Sequence, residues 1–219
     1  AIAALTDKET IAEYLRTSAA KGENNLFGFG PNADFNDSPV NIAYAMQGGL
    51  GLPDKGYYED ADKADKLAAY QAHVAKVLEL SGIAAADAVK QAADVVAFEK
   101  RLAKVSKSSE QMSRDVKIFY NPVSPADADK LAPNFPWTKF FESQGVATPK
   151  MFSLAMPEFH AEVSKMLADV PAAISPKPTF SSCWPCAAFV DGVKIGCGSL
   201  SAMRKPAGSR TPQISPVAW

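Results

Sequence analysis

Gln47-Gly48-Gly49-Leu50-Gly51-Leu52-Pro53-Asp54-Lys55-Gly56-Tyr57-Tyr58 is the stretch around which the rest of the chain is organised. Three glycines and one proline fall between Gly48 and Pro53. Gly49 and Gly51 can take φ > 0 without steric cost, and Pro53 fixes its own φ near about −65°. Leu52 precedes a proline and is pushed out of the helical region into an extended conformation. Leu50 and Leu52 are apolar residues in an otherwise permissive loop, so the loop is expected to be packed. Tyr57 and Tyr58 add large amphipathic contact surface. By physics alone the string also serves as an ordinary Gly-rich turn ahead of a short helix starting at Pro53.

Outward from this stretch, the chain has the composition of an ordinary globular protein: 219 residues, 47% apolar and 21% charged. No apolar run approaches the roughly 18 residues of a membrane-spanning helix. The net charge of −1 argues against a nucleic-acid-binding footprint. The chain opens at Ala1 with neither methionine nor a basic-then-apolar leader, which leads to the expectation of a processed or excised piece. Composition breaks near Pro171. Beyond it lie all three cysteines (Cys183, Cys186 and Cys197), six of the 16 prolines and a cluster of basic residues. Without cysteine, residues 1–173 can form no internal disulfide.

Thr6 and Glu9 have the spacing of a capping box, and Ile11, Tyr14 and Leu15 follow at helical spacing, so a helix is expected over about 7–20. Residues 26–29 and 40–46 read as two strands joined by a Gly/Pro/Asn/Asp-rich loop, a hairpin near 26–46. Gly28-Phe29-Gly30-Pro31-Asn32-Ala33 formally matches a dinucleotide fingerprint, but no helix start and no βαβ pattern surround it, so we set it aside. Two long helices follow. One over 61–81 carries a stripe of Leu67, Tyr70, Val74, Val77 and Leu78, and one over 84–105 carries Ala88, Ala92, Val95, Phe98, Leu102 and Val105. The short link between them predicts an antiparallel hairpin. Residues 106–123 read as an irregular connection. Short helices start at Ser124 and Pro136, a strand covers 151–154, and a last helix opens at Pro157. His73 reads as a surface or partly buried histidine, because a zinc site needs three or four convergent ligands.

Four ordered motifs together carry a resemblance. They are Gly48 to Tyr58; Asp34-Phe35-Asn36-Asp37-Ser38 with the strand into Gln47; Arg114-Asp115 with Tyr120-Asn121-Pro122 and Leu131 to Phe141 around Trp137; and Met156-Pro157-Glu158-Phe159. On these the chain resembles the neprilysin-like zinc metallopeptidases. Two departures are Asn36, where lysine is common, and Val116, where proline follows the Arg-Asp pair. The resemblance covers roughly residues 1–173. It implies a mainly α fold, part of the helical N-terminal domain that roofs the catalytic domain and encloses a peptide-binding cavity. The motif residues it singles out, in a structural role, are Asp34, Asp37, Ser38, Gln47, Gly49, Leu50, Gly51, Leu52, Pro53, Tyr57, Tyr58, Tyr120, Asn121, Pro122, Trp137 and Pro157.

The family's zinc chemistry uses His-Glu-x-x-His on one helix, because histidines at i and i+4 share a face with the glutamate poised as base. His73 and His160 stand 87 positions apart, so no catalytic or metal-ligating residue is assigned to these residues. The resemblance implies zinc in the complete enzyme, a missing catalytic domain as partner, peptide substrates and an extracytoplasmic location. The expectation is an inactive N-terminal piece of a zinc metalloendopeptidase. The alternative is a non-catalytic helical module that binds peptides or a protein partner.

Residues 174–219 show no helical or strand period. Cys183-Trp184-Pro185-Cys186 suggests a redox pair or a zinc site, yet neither a thioredoxin-like setting nor a fourth ligand accompanies it. The tail is expected to be unstructured, most simply out-of-frame sequence.

Overall fold

The computed structural model describes residues 7–169. The tail, with its cysteines, lies outside the described residues. Helices dominate and surround a small sheet, as the periodicity implies. Helix α1 (Lys8–Ala19) does begin at a capping box, but Asp7 is the cap and Thr10 its partner. The Asp7 carboxylate accepts from the amides of Glu9 and Thr10, and the Asp7 amide donates to Thr10 Oγ1. The Thr6–Glu9 assignment is one residue early, because aspartate caps as well as threonine and hydroxyls can close the box.

Strand β1 (Phe27–Ala33) pairs antiparallel with β2 (Asn41–Gln47), Phe27 opposite Gln47 and Ala33 opposite Asn41. The hairpin is the expected one, but β1 runs on through Pro31, which reads as loop in the sequence. In the order β1-β2-β4-β3, β1 is an edge strand, where proline's missing N–H is tolerated. The rejected fingerprint lies entirely within this strand. Strand β4 (Phe152–Leu154) joins β2 in parallel, and β3 (Pro122–Val123) pairs antiparallel with β4. The hairpin is therefore half of a four-stranded sheet whose long-range pairings have no local signature.

After the glycine loop come α2 (Gly56–Glu59), α3 (Ala64–Leu80) and α4 (Ala85–Val105). The α3–α4 hairpin is as predicted, with Ala88 and Ala92 fully buried at the contact. The buried stripe of α4 is rotated from the expected one: Val96, Glu99 and Ala103 are buried, while Val95, Phe98 and Val105 are only half-buried. The expected irregular connection holds a short helix α5 (Ser109–Arg114), capped by Ser108, and then β3. Helices α6 (Pro125–Leu131), α7 (Trp137–Ser143) and α8 (Pro157–Asp169) complete the described chain.

Two apolar cores result. The larger packs α1, α6, α7 and α8 on the sheet around Phe27, Trp137, Phe140, Phe152 and Phe159. Trp137 is its hub, with ring centroids 5.2 Å from those of Phe27, Phe140 and Phe152. Edge-on and tilted geometry of this kind adds to area burial. The smaller core lies among α2, α3, α4 and Leu52. Leu50 packs against both.

Candidate functional site

The loop after β2 is the joint between the cores, and it is held at both ends. Gln47 Nε2 donates to the Lys107 carbonyl and Gln47 Oε1 accepts from the Lys107 amide, both at 2.7 Å. Asp54 accepts from the amides of Ser109 at 2.7 Å and Gly56 at 2.9 Å. Burial pushes the Asp54 carboxyl up, but these amides outweigh it and leave its pKa below the ordinary value. The loop thus spans one fixed segment, 107–109, from two sides.

Its centre is fixed from below by Glu99, a carboxylate only 4% exposed. Tyr58 Oη donates to Glu99 Oε2 at 2.8 Å and Tyr70 Oη donates to Oε1 at 2.9 Å. Tyr58 Oη in turn accepts from the Leu52 amide at 2.9 Å. Burial raises the Glu99 pKa to about 7, against the lowering influence of the two hydroxyls and the Gly51 amide. Burial, reinforced by the Glu99 charge, pushes both phenols far above their usual range, so each is a fixed neutral donor.

The glycines have different reasons. Gly49 sits at φ 80°, where a side chain is strained. Gly51 does not use that freedom, since its φ is not positive. A Cβ there would overlap the Tyr70 hydroxyl and lie 2.6 Å from Tyr70 Cζ, so the residue is small because tyrosine passes over its backbone. The helix after the loop begins at Gly56, not at Pro53.

Above the loop is an open cavity of about 440 Å³ floored by residues 47–53 and walled by Met46, Met112, Phe119 and Met156. Met156 takes φ 55° before Pro157, a strained backbone for a non-glycine residue. Its side chain is buried.

The pattern of peptidase family M13 matches residues 1–177. The chain belongs to that family.

Neprilysin-3 of Drosophila melanogaster is 34% identical over 122 residues, 55% of this chain and 15% of that protein. Human endothelin-converting enzyme-like 1 is 28% identical over 153 residues, 67% of this chain and 19% of that protein. The chain therefore spans less than a fifth of the length of these relatives. The crystal structure of a Mycobacterium tuberculosis zinc metalloprotease in complex with inhibitor matches 84% of this chain and 27% of its own, at 27% identity and a TM-score of 0.71. The same enzyme in its open state matches at a TM-score of 0.72.

Within this M13 chain the motif residues fall into several separate places. Gln47 to Pro53 and Tyr58 form the loop, with Tyr57 against the ammonium groups of Lys63 and Lys66. Asp34 and Tyr120 meet at the hairpin tip, where the Tyr120 hydroxyl donates to Asp34 at 2.6 Å and Asn36 donates to Tyr120 at 3.0 Å. That donation is the main reason the Asp34 pKa lies below the carboxylate range, and the same bond pushes Tyr120 up to about 12. Asn36 thus has a defined partner in place of the lysine. Asp37 and Ser38 are exposed at the tip, while Asn121 and Pro122 bind β4. Trp137 and Pro157 serve the large core and the start of α8. The motifs do not converge on one centre. Glu99, Tyr70, Lys107 and Ser109 complete the loop's bonds and are not in the motif set. Glu99 does lie on the i, i+3, i+4 series of Ala92, Val95, Val96 and Leu102, and that was the available signal.

His73 is exposed and His160 is buried beneath Trp137. Among the described residues no group of three or more His, Cys, Asp or Glu could hold a metal ion, so these residues do not fit the zinc of the relatives. No helix among them is long and apolar enough to cross a membrane.

Proposed function

We propose that residues 1–173 are part of the N-terminal domain of a zinc metalloendopeptidase acting on peptides, with zinc and the catalytic groups supplied by the enzyme's catalytic domain. The observation that carries this is the family match over 1–177 joined to a fold shared with zinc metalloproteases at a TM-score near 0.7. On this reading the helices roof the catalytic domain, an extracytoplasmic setting suits the activity, and residues 174–219 are a separate tail. The motif residues from Asp34 to Pro157 act structurally, by fixing the loop, the hairpin tip and the large core.

Catalytic zinc needs three protein ligands and an open water position. The chain as given should therefore cleave no peptide when assayed with added zinc against a peptide library. Fused in frame to the catalytic portion of its parent gene, it should support zinc-dependent endopeptidase activity. Chelator-sensitive cleavage by the chain alone, abolished by His73→Ala or His160→Ala, would overturn this reading.

One observation favours a second reading, a non-catalytic module that binds peptides or a protein partner. The 440 Å³ cavity is open and lined by three methionines, which adapt to varied apolar groups. Against it stand Leu80, 78% exposed, and Val89, 56% exposed, the uncovered apolar surface expected of part of a larger domain.

A further inference from the structure

We infer that the open edge of β1 captures an extended segment of a separate polypeptide as an added strand, and that one apolar side chain of this segment enters the cavity beside Gly28. The inference deepens the peptide-binding reading of the cavity, on which it rests, and needs neither zinc nor a catalytic domain.

The ladder decides which main-chain groups face the edge, because bonded pairs alternate along antiparallel strands. The Asp34 amide donates to the Val40 carbonyl at 2.8 Å, one step beyond the Ala33–Asn41 pair. Gly28, Gly30 and Asn32 therefore bond to β2, and Phe27, Phe29, Pro31 and Ala33 turn their main chain outward. Other bonds agree. Ala45, opposite Phe29, turns its carbonyl away from β1 and accepts from the Ala155 amide at 2.9 Å. Pro31, which has no N–H to give, falls in the outward set. Ala33 closes its end of the edge: its amide donates to Asn32 Oδ1 and its carbonyl accepts from the Tyr44 hydroxyl, both at 2.8 Å. Phe27 is buried, Phe29 half-buried and Pro31 exposed. What remains open is the amide and carbonyl of Phe29 and the carbonyl of Pro31, and no hydrogen bond among the described residues takes them up.

The glycines of β1 are a second, independent observation. Phe27 and Phe29 turn their rings to Phe140 of α7, at 5.8 and 4.7 Å, so Gly28 and Gly30 share the opposite face. The fold itself requires neither glycine. Neither has positive φ; a Cβ at Gly28 would meet only the Met46 side chain, at 3.9 Å or more, and one at Gly30 would meet nothing within 4 Å. Glycine inside a strand weakens it, and often marks the close approach of a ligand or another backbone. Gly28 and its cross-strand partner Met46 line the cavity of about 440 Å³. An antiparallel segment on this edge exchanges two hydrogen bonds with Phe29, and its residue opposite Pro31 donates a third to the Pro31 carbonyl. The residue opposite Gly28 then lays its side chain on the glycine face, at the cavity. That side chain is apolar, because the walls there are Met46, Met112, Phe119 and Met156 and β1 carries no charge.

The test is fluorescence anisotropy of the 219-residue chain with a short labelled peptide of alternating threonine and leucine, with amide hydrogen exchange alongside. With the leucines on the glycine face, the leucine main chain turns away from β1 and the threonine main chain turns toward it. The peptide should bind and slow exchange of the Phe29 amide about tenfold. N-methylation of its threonine amides should weaken binding about tenfold or more, and N-methylation of its leucine amides should leave binding within about twofold. Gly28→Val should match or exceed the unmodified chain in stability and bind about tenfold more weakly. If that variant fails to fold, the two N-methylated peptides still decide. Binding that survives threonine N-methylation and leaves Phe29 unprotected would overturn the inference while the cavity reading stands; no binding at all would overturn both. Phe29 protection that rises with chain concentration in the absence of peptide would assign the edge to a second copy, and would also overturn the inference.

Discussion

Gly51→Ala tests the reason given for the central glycine. The backbone there has ordinary φ, so alanine meets no conformational penalty of its own. The whole effect must be steric: the new Cβ would overlap the Tyr70 hydroxyl, lie 2.6 Å from Cζ and 3.0 Å from Glu99 Oε1. Tyr70 is 4% exposed and packed among the residues of the small core, so its ring cannot swing out to solvent. Overpacking of this kind costs about 1–3 kcal/mol. Displacing the tyrosine from Glu99 forfeits a buried hydrogen bond to a charged group, worth about 1.5–3 kcal/mol. A total loss of about 3 kcal/mol or more follows, equivalent to a fall in Tm of roughly 6–12 °C for a chain of this size. Urea denaturation followed by circular dichroism measures it. Tyr70→Phe should not rescue the variant, because Cζ remains in the way. Tyr70→Leu should reduce the cost of Gly51→Ala by about 1–2 kcal/mol in a double-mutant cycle. A Gly51→Ala protein within about 0.5 kcal/mol of the unmodified chain would refute the steric account.

Two buried groups should oppose each other in pH. The folded-state pKa of Glu99 is raised from 4.5 to about 7, so its contribution to stability is complete below 4.5 and is lost as pH rises through about 7. His160 is the reverse. Burial lowers its pKa from 6.5 to about 4, partly offset by the Ala45 and Ala155 carbonyls, so its contribution is present above 6.5 and is lost as pH falls through about 4. Each spans about 3 kcal/mol, and the stability of the unmodified chain should be nearly level between about pH 4.5 and 6.5. Denaturant titrations of Glu99→Gln should then show stability falling toward acid, and those of His160→Gln stability falling toward alkali; parallel profiles would exclude both assignments. Trp137→Ala should cost about 3–5 kcal/mol by chemical denaturation. Because the buried Trp137 Nε1 has no hydrogen-bond partner among the described residues, Trp137→Phe should lose packing alone and cost less than half as much. Arg101→Ala removes the ion pairs from α4 to Glu162 and Asp169. With its side chain 35% exposed, the loss should be about 1 kcal/mol or less and should shrink as salt is added.

The sequence by itself determined the long helices, the first hairpin and the family. These rest on local signals: the 3.6-residue stripes of α3 and α4, the Ser124 cap before α6, proline at the start of α8, the turn-rich loop between β1 and β2, and ordered motifs that survive as strings. It also marked the Gln47–Tyr58 loop as packed, since Leu50 and Leu52 had no other use. Tertiary structure alone decided what the loop is packed on. The pairing of Ala45 with Leu154 joins residues more than a hundred positions apart, and no local preference encodes it. Likewise the meaning of Gly51 lies in Tyr70, and that of Gln47 in the backbone of Lys107. Glu99 is the sharpest case. On a helix, a charged residue is ordinarily assigned to the solvent face, because leaving a carboxylate unpaired in a core costs more than most contacts return. Its burial becomes tolerable only once two tyrosines from two other helices and an amide from the loop converge on it. That convergence is a property of the fold and of no single segment.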